Sequence, residues 1–417
     1  MAKQTTLSRR GFLIRGAAVF AAPYIIPASA FGANDRIGVG FIGVGRRALQ
    51  LKADFLRVAK QANAEAVAVS DFFRKRMDAA CGDQKWGKYQ DYRELLQDKQ
   101  VDAVIVATPD HWHTLPSIHA CQAGKDVYCE KPLTLTIREG RALVDAARKY
   151  KRIVQAGSQQ RSKTNCRYGC ELVRSGALGK ISVVHGSNYL SPWECELPEQ
   201  PVPEGLNWDA WCGQTTPRPY HEDLYLPRAK PGWISFRPYS GGEMTGWGAH
   251  GLDIIQWALG MDESCPVEIW PEEGEPLKRP VSMRYANGVL VRLDEPEEHG
   301  GGLFEGENGK LRIDRDKLEA TPSELLKNAP KDLELRKDTT GAHILNWLEC
   351  IRSREKPIAD VEIAHRSATM CHLGNIARWA GRKLQWDPEK ELFVNDEDAN
   401  KYVARAGREP YGIPKEV

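Results

Sequence analysis

Two short runs carry side chains that can move protons. Glu130-Lys131-Pro132 follows Asp126-Val127-Tyr128-Cys129, so it stands at the end of a strand. An ammonium at a sheet's carboxyl edge polarises a carbonyl oxygen and lowers a neighbour's pKa. Pro132 restrains the backbone that carries it. The second run is Trp247-Gly248-Ala249-His250-Gly251-Leu252-Asp253. Imidazole titrates near working pH, so His250 suits a general acid or base. Asp253, three residues on and on the same helical face, is placed to orient His250 or hold a substrate hydroxyl. Structural alternatives stand beside both: a surface ion pair at a strand end, and a core histidine satisfied by Asp253. His111 and His113 suggest a metal pair, but no acidic or cysteine cluster completes a ligand set, so no metal is expected. A Tyr-x-x-x-Lys pattern at Tyr411 to Lys415 contains Pro414, which excludes a helical catalytic pair.

The elements that must position these groups are α/β. Arg36 to Ile42 reads as a buried strand, and Gly43-Val44-Gly45-Arg46-Arg47-Ala48 as the turn that opens a helix. Gly43 permits the tight turn, Gly45 a close backbone approach by a pyrophosphate, and Ala48 close packing of helix on strand. Arg46 stands at that helix's first turn, among the expected nucleotide contacts. Gly38, Gly40 and Gly43 also satisfy Gly-x-Gly-x-x-Gly, but inside the strand, where no helix follows. A second strand, Ala64 to Ser70, ends at Asp71, 28 residues beyond Gly43. Its carboxylate accepts ribose hydroxyls and repels a 2′-phosphate, which favours NAD over NADP; Arg74 and Arg76 argue the other way. Val101 to Pro109 is an almost wholly apolar strand, as a doubly covered parallel sheet requires. Thr108, His113, Glu130 and Lys131 all fall at strand ends, where such sheets bind ligands.

The runs ATPDHWHTLPSIHACQAGKDVYCEKPLTLT, GSQQRS and GGEMTGWGAHGLDIIQWALG resemble the Gfo/Idh/MocA oxidoreductases over roughly residues 35 to 390. The resemblance implies an N-terminal Rossmann domain (34–158) and an α+β domain with a large, mostly antiparallel sheet (159–417). Helices at about 342–380 are expected to pack back on the first domain. It also implies that Lys131 lies beside the nicotinamide and the reacting hydroxyl, that His250 is the catalytic histidine, and that His113 packs beside the nicotinamide. Arg161, where the second domain begins, either clamps substrate or holds the domain junction. Many members carry an aspartate four residues before the histidine; here that position is Gly246. Either another group such as Glu243 replaces it, or the chemistry differs from simple alcohol oxidation.

From about residue 160 the pattern changes. Residues 191–240 are rich in Pro and Trp, with Trp193, Trp208, Trp211 and Trp233 among them. Indoles stack on sugar rings, so Trp193 and Trp247 are candidate substrate contacts; the alternative is that such Trp staple a long loop to the sheet. Asn287-Gly288 joins two strands as a hairpin.

The N-terminus, Ser8-Arg9-Arg10-Gly11-Phe12-Leu13 with an apolar run and Ala28-Ser29-Ala30, looks like a twin-arginine export signal over 1–30. The run is too short and interrupted for a membrane span. A net charge of +2 with no basic cluster beyond that signal argues against nucleic acid. The expected protein is therefore periplasmic, acts on a carbohydrate or polyol, and assembles as a homo-oligomer, a dimer or tetramer by resemblance. Free NAD is scarce outside the cytoplasm, so the nucleotide is expected to stay bound. Three outcomes stay open: an oxidoreductase, an NAD-dependent glycoside hydrolase working by transient oxidation and elimination, and a non-catalytic carbohydrate-binding protein.

Overall fold

The computed structural model describes residues 35–194, 196–228, 231–296, 300–328, 340–414 and 417. The twin-arginine segment lies outside the described residues. β1 (Ile37–Ile42) is buried at every position, as a strand between two helical layers must be. A Cβ on Gly38 would fall 1.8 Å from the Gln100 carbonyl oxygen, so that glycine serves packing inside the sheet and leaves Gly43-Gly45-Ala48 for the turn. β2 (Ala64–Ser70), β3 (Gly87–Tyr89), β4 (Ala103–Val106), β5 (Asp126–Cys129) and β6 (Val154–Ala156) complete a parallel sheet in the order β3-β2-β1-β4-β5-β6. The chain reverses direction across the sheet between β1 and β4, and a crevice opens at their carboxyl ends.

The second sheet holds β7 (Ile181–Ser187), β8 (Glu268–Pro271), β9 (Val281–Arg284), β10 (Leu290–Glu295), β11 (Gly302–Gly306), β12 (Gly309–Ile313), β13 (Leu318–Thr321), β14 (Leu384–Asp387) and β15 (Leu392–Phe393). Their order is β13-β12-β11-β7-β10-β9-β8-β14-β15, antiparallel except between β7 and β10. Three helices, Thr164–Arg174, Gly248–Ala258 and Val361–Ala380, send Cys170, Ile255 and Leu373 into one core with Val184, Val291 and Phe304.

Two C-terminal helices join this domain to the first. The helix Thr340–Ser353 buries Ile344, Trp347 and Leu348 with Val39, Phe41, Leu51 and Phe55. The helix Val361–Ala380 places Val361, Ala364 and Ala368 in the Rossmann core, and Met370, Leu373 and Ile376 in the core of the second sheet. One helix thus belongs to both cores and fixes the angle between them.

The stretch after β7 leaves the second domain and docks on the first. Phe73 and Leu206 form a β-bridge, the Asn207 N–H donates to the Phe72 carbonyl at 2.9 Å, and the Arg74 N–H to Gly205 at 3.2 Å. Trp208 and Trp211 stack at 4.6 Å in a small core with Tyr220, Tyr225, Phe236 and Tyr239. Trp208 is spent in this core instead of lining an open sugar cleft, while Trp211, stacked on it, also reaches the cavity of the first domain. Trp193 differs from the expectation in the same way: it packs edge-on against Phe236 at 6.2 Å.

Arg161 and Asp253 are also placed differently from a substrate role. The Arg161 guanidinium, 1% exposed, donates to both oxygens of Asp253 at 2.8–3.0 Å and to Asp262 at 2.7 Å. Asp253 also accepts from the Ser367 hydroxyl at 2.7 Å. Its capacity is therefore spent inside the protein, and it does not orient His250. The pair is a buried brace between the start of the second domain and the helix Gly248–Ala258. Arg161→Ala leaves two carboxylates without their cation, which should cost about 3–5 kcal/mol. Urea unfolding checks this, and the double variant Arg161→Met/Asp253→Leu should regain most of the loss. A single variant within about 1 kcal/mol of the parent would show that the brace carries no stability.

Candidate active site

The site begins at Gly43, which leaves β1 with φ of +79°; a Cβ there would lie 2.9 Å from the backbone N and Cα of Thr108. Both the dihedral and the space demand glycine. Gly45 precedes the helix Arg46–Ala59, whose first turn has no side-chain cap. Its free N–H groups and dipole are open to an anion. The nearest heavy atom to a Cβ on Gly45 would be Arg76 Nη1 at 3.5 Å, so the backbone there is approachable. Arg46 is exposed and lines the same cavity.

Asp71 stands just past β2. Its Oδ2 accepts the Val44 N–H and its Oδ1 the Phe73 N–H, each at 2.9 Å. Burial raises its pKa against the pull of Arg76 and these two bonds. Each oxygen retains a lone pair for a ribose hydroxyl. The Arg76 guanidinium lies over the Tyr225 ring at 4.4 Å.

A cavity of about 470 Å³ runs from Gly45 and Asp71 to Lys131 and Gly246. Thr108 and His113 form part of its wall, and Trp211, Tyr225, Leu226 and Trp233 of the docked excursion cover it. His113 bridges two strand-end loops: Nδ1 lies 2.6 Å from the Pro132 carbonyl oxygen and Nε2 3.0 Å from that of Thr108. His111 Nε2 meets the Trp211 carbonyl at 2.8 Å. The two imidazoles are thus tied to separate backbone carbonyls, and among the described residues no His, Cys, Asp and Glu cluster could hold a metal.

Glu130 is buried and spent. Its Oε1 accepts from Arg47 and from Gln159, at 2.8 and 3.0 Å, and its Oε2 from the Lys131 N–H at 3.1 Å. Burial would raise this carboxyl, but Arg47 and Lys131 outweigh it and hold the pKa below the usual range. Lys131 Nζ donates to the Gly246 carbonyl at 2.8 Å. Burial pushes the Lys131 pKa down, against Glu130, Asp110 and Glu243, which hold it up. His250 stands one helical turn beyond Gly246 and is 5% exposed, and its Nδ1 has no hydrogen-bond partner. Burial first, then the cations Lys131, Arg315 and Arg47, keep the imidazole well below its ordinary pKa. It is therefore a neutral base. Trp247, 37% exposed, lies 5.9 Å from the His250 ring.

The structure adds Asp110 and Arg228, which the sequence did not single out, and places Glu243, which it did. Asp110 lines the cavity and accepts from the Ser240 hydroxyl at 2.6 Å; burial holds it above the usual carboxylate range. Glu243 is clamped by Arg228 through two bonds at 2.7 and 3.1 Å. A Cβ on Gly246 would fall 2.7 Å from Glu243 Oε2. The carboxylate from one turn earlier thus fills the space a side chain at 246 would need. Nothing in spacing alone signalled Arg228; Asp110 sat in plain view within Pro109-Asp110-His111.

The uncapped helix, the two glycines and the carboxylate past β2 fit a dinucleotide, and the Lys131 end of the groove fits its reactive ring. Comparison with known proteins agrees. The oxidoreductase family's NAD-binding Rossmann domain matches residues 37–158, and its C-terminal alpha/beta domain matches 163–413. The chain belongs to the Gfo/Idh/MocA oxidoreductase family. An uncharacterized oxidoreductase of Streptococcus pneumoniae is 35% identical over 53% of this chain and 54% of its own length. An inositol 2-dehydrogenase of Salmonella paratyphi B is 30% identical over 40% and 49%. The chain thus spans about half the length of these curated relatives. A levoglucosan dehydrogenase, solved in complex with NADH and levoglucosan, superposes with a TM-score of 0.62 at 16% identity, over 84% of this chain and 99% of that one.

The charge balance gives a test. Glu243 raises the Lys131 pKa, so Glu243→Gln removes support and lowers it further. The limb of the kcat/KM–pH profile that belongs to Lys131 should move to lower pH. A profile that keeps its position would show that the Glu243 charge does not reach the ammonium.

Proposed function

We propose that this protein oxidises a hydroxyl of a sugar, glycoside or polyol with an NAD that stays bound, and that it works outside the cytoplasm. The observation that carries the reading is the Lys131–Gly246 contact. It puts an ammonium at the end of the nucleotide groove and one helical turn from a neutral, buried imidazole. His250 takes the proton of the substrate hydroxyl. Lys131 donates a hydrogen bond to the same oxygen as it becomes a carbonyl oxygen, which steadies the charge that develops there. When bound, the nicotinamide supplies the hydride acceptor.

NAD is favoured over NADP because the Asp71 carboxylate repels a 2′-phosphate. Retention of the nucleotide is supported by the excursion over the groove. Its Trp211, Tyr225 and Trp233 line the cavity and would slow a nucleotide's departure. Export by the twin-arginine route is supported by the cysteines: nine of them, among the described residues, are buried and unbridged. Such a chain is suited to folding in a reducing compartment before transport.

Asp110 favours a second reading, redox-neutral glycoside cleavage. Burial favours its protonated form, so it can give a proton to the leaving glycosidic oxygen while His250 takes the proton from the carbon that oxidation has acidified. Water would then add across the double bond so formed, and the reduced nucleotide, when bound, would supply the hydride that restores the hydroxyl.

Native purification followed by denaturation should release close to one NAD(H) per chain. Lys131→Ala should keep that nucleotide and lose about 10²–10⁴-fold in turnover. An empty protein would overturn the captive cofactor, and unchanged turnover in the variant would overturn the role of Lys131. Sugar release without growth of the NADH band would decide for glycoside cleavage.

A further inference from the structure

Beside His250 is a guanidinium to which the mechanism above gives no contact with substrate. Arg315 lies in the turn between β12 and β13, with its charge centre 4.8 Å from the Trp247 ring. Its Nε donates to Gln160 Oε1 at 3.2 Å, and Gln160 donates in turn to the Gly300 carbonyl. A Cβ on Gly300 would lie 2.6 Å from Gln160 Oε1 and 3.0 Å from the His250 Cβ. Gln160, Arg315 and Trp247 therefore form a polar and aromatic shelf next to the catalytic imidazole.

The charge on this shelf has no carboxylate of its own among the described residues. The neighbouring guanidinium groups do: Arg47 has Glu130, Arg228 has Glu243, and Arg312 has Glu295. The two acids that flank Arg315 in sequence are engaged elsewhere. Asp314 is buried and accepts the Arg315 backbone N–H, and Asp316 faces Lys163 at 3.6 Å. The indole holds the guanidinium plane in one orientation, and Gln160 occupies Nε. The two terminal nitrogens remain as a fixed fork, which matches a carboxylate in two parallel bonds. A neutral sugar needs no such fork. Electrostatics agree, since Lys131 and Arg315 act on His250 with the same sign.

We propose that Arg315, laid on Trp247, binds a carboxylate of the substrate, so that the sugar taken by this site is a uronic acid or a uronide. The proposal rests on the reading of the site as a sugar oxidoreductase, and the test separates the two. The mature protein with its nucleotide is offered D-glucuronate, D-galacturonate, D-glucose, D-galactose and methyl D-galacturonate, and the NADH band is followed. The uronates should half-saturate at concentrations about tenfold or more below the neutral sugars, with the methyl ester falling back to the neutral class. Arg315→Gln should weaken the uronates by about 10–100-fold, the loss expected for one charge-assisted pair, and weaken the neutral sugars far less. Arg315→Lys should recover part of the loss. Calorimetric binding of D-glucuronate to parent and Arg315→Gln proteins gives the same comparison without turnover. If neutral sugars match the uronates, or Arg315→Gln weakens both classes alike, the carboxylate assignment is overturned while the oxidoreductase reading stands. If no sugar changes the band yet glucuronate binding depends on Arg315, the assignment holds and the oxidoreductase reading falls.

Discussion

A half-buried ammonium bonded to a backbone carbonyl of the other domain is the contact on which the site depends. Lys131 rides on the loop after β5 of the nucleotide domain, and Gly246 belongs to the second domain. Burying a lysine costs heavily unless its charge is answered. Here the adjacent Glu130 answers it by charge alone and not by a bond to Nζ, because its oxygens are taken by Arg47, Gln159 and the Lys131 backbone N–H. The ammonium's own bond is to a neutral carbonyl. It therefore stays responsive to what enters the cavity, as a fully paired lysine would not. The same bond sets the distance between the nucleotide groove and the helix of His250. Domain geometry and proton chemistry are one constraint.

The second domain supports that bond from two sides. The helix Val361–Ala380, shared by both cores, fixes the domain angle. The Arg161–Asp253 brace fixes the helix that bears His250. Gly246 then has a specific reason to lack a side chain. Its carbonyl must reach Lys131, and the space above its Cα belongs to Glu243, clamped by Arg228. The negative charge near Lys131 is delivered from one turn earlier and is shared with a guanidinium. It tunes the ammonium without pairing with it.

Much of the nucleotide domain was legible because its signals are local. An apolar run, two glycines, a helix start and an acid past the next strand are all set by neighbours in the chain, and the sheet order follows from the alternation of strand and helix. The family resemblance supplied Lys131 and His250. What stayed hidden depends on partners far apart in sequence. Arg161 meets Asp253 across 92 residues and Arg47 meets Glu130 across 83, and no spacing rule reaches so far. Arg161, which reads in one dimension as either a substrate clamp or a hold on the domain junction, is settled as a brace once the acid behind it is found. The tryptophans misled for a related reason. Composition tells that indoles are present, but not whether they face a sugar or one another, and Trp208 and Trp211 face each other.

The excursion that holds these indoles links the two ends of the argument. It covers the groove with residues that have their own aromatic core, and it is pinned to the β2 edge by backbone bonds at Phe72, Phe73 and Arg74. On the proposed reading, such a cover would close over the nucleotide as the chain folds, and the nine thiols that are buried without bridges among the described residues suit reducing surroundings for that step. A nucleotide held in that way would not be renewed by exchange, so each oxidation would be undone on the same enzyme, by a second substrate or by the product itself. A site with a neutral base, a responsive ammonium and a buried acid whose pKa burial raises has the groups to run proton transfers in both directions.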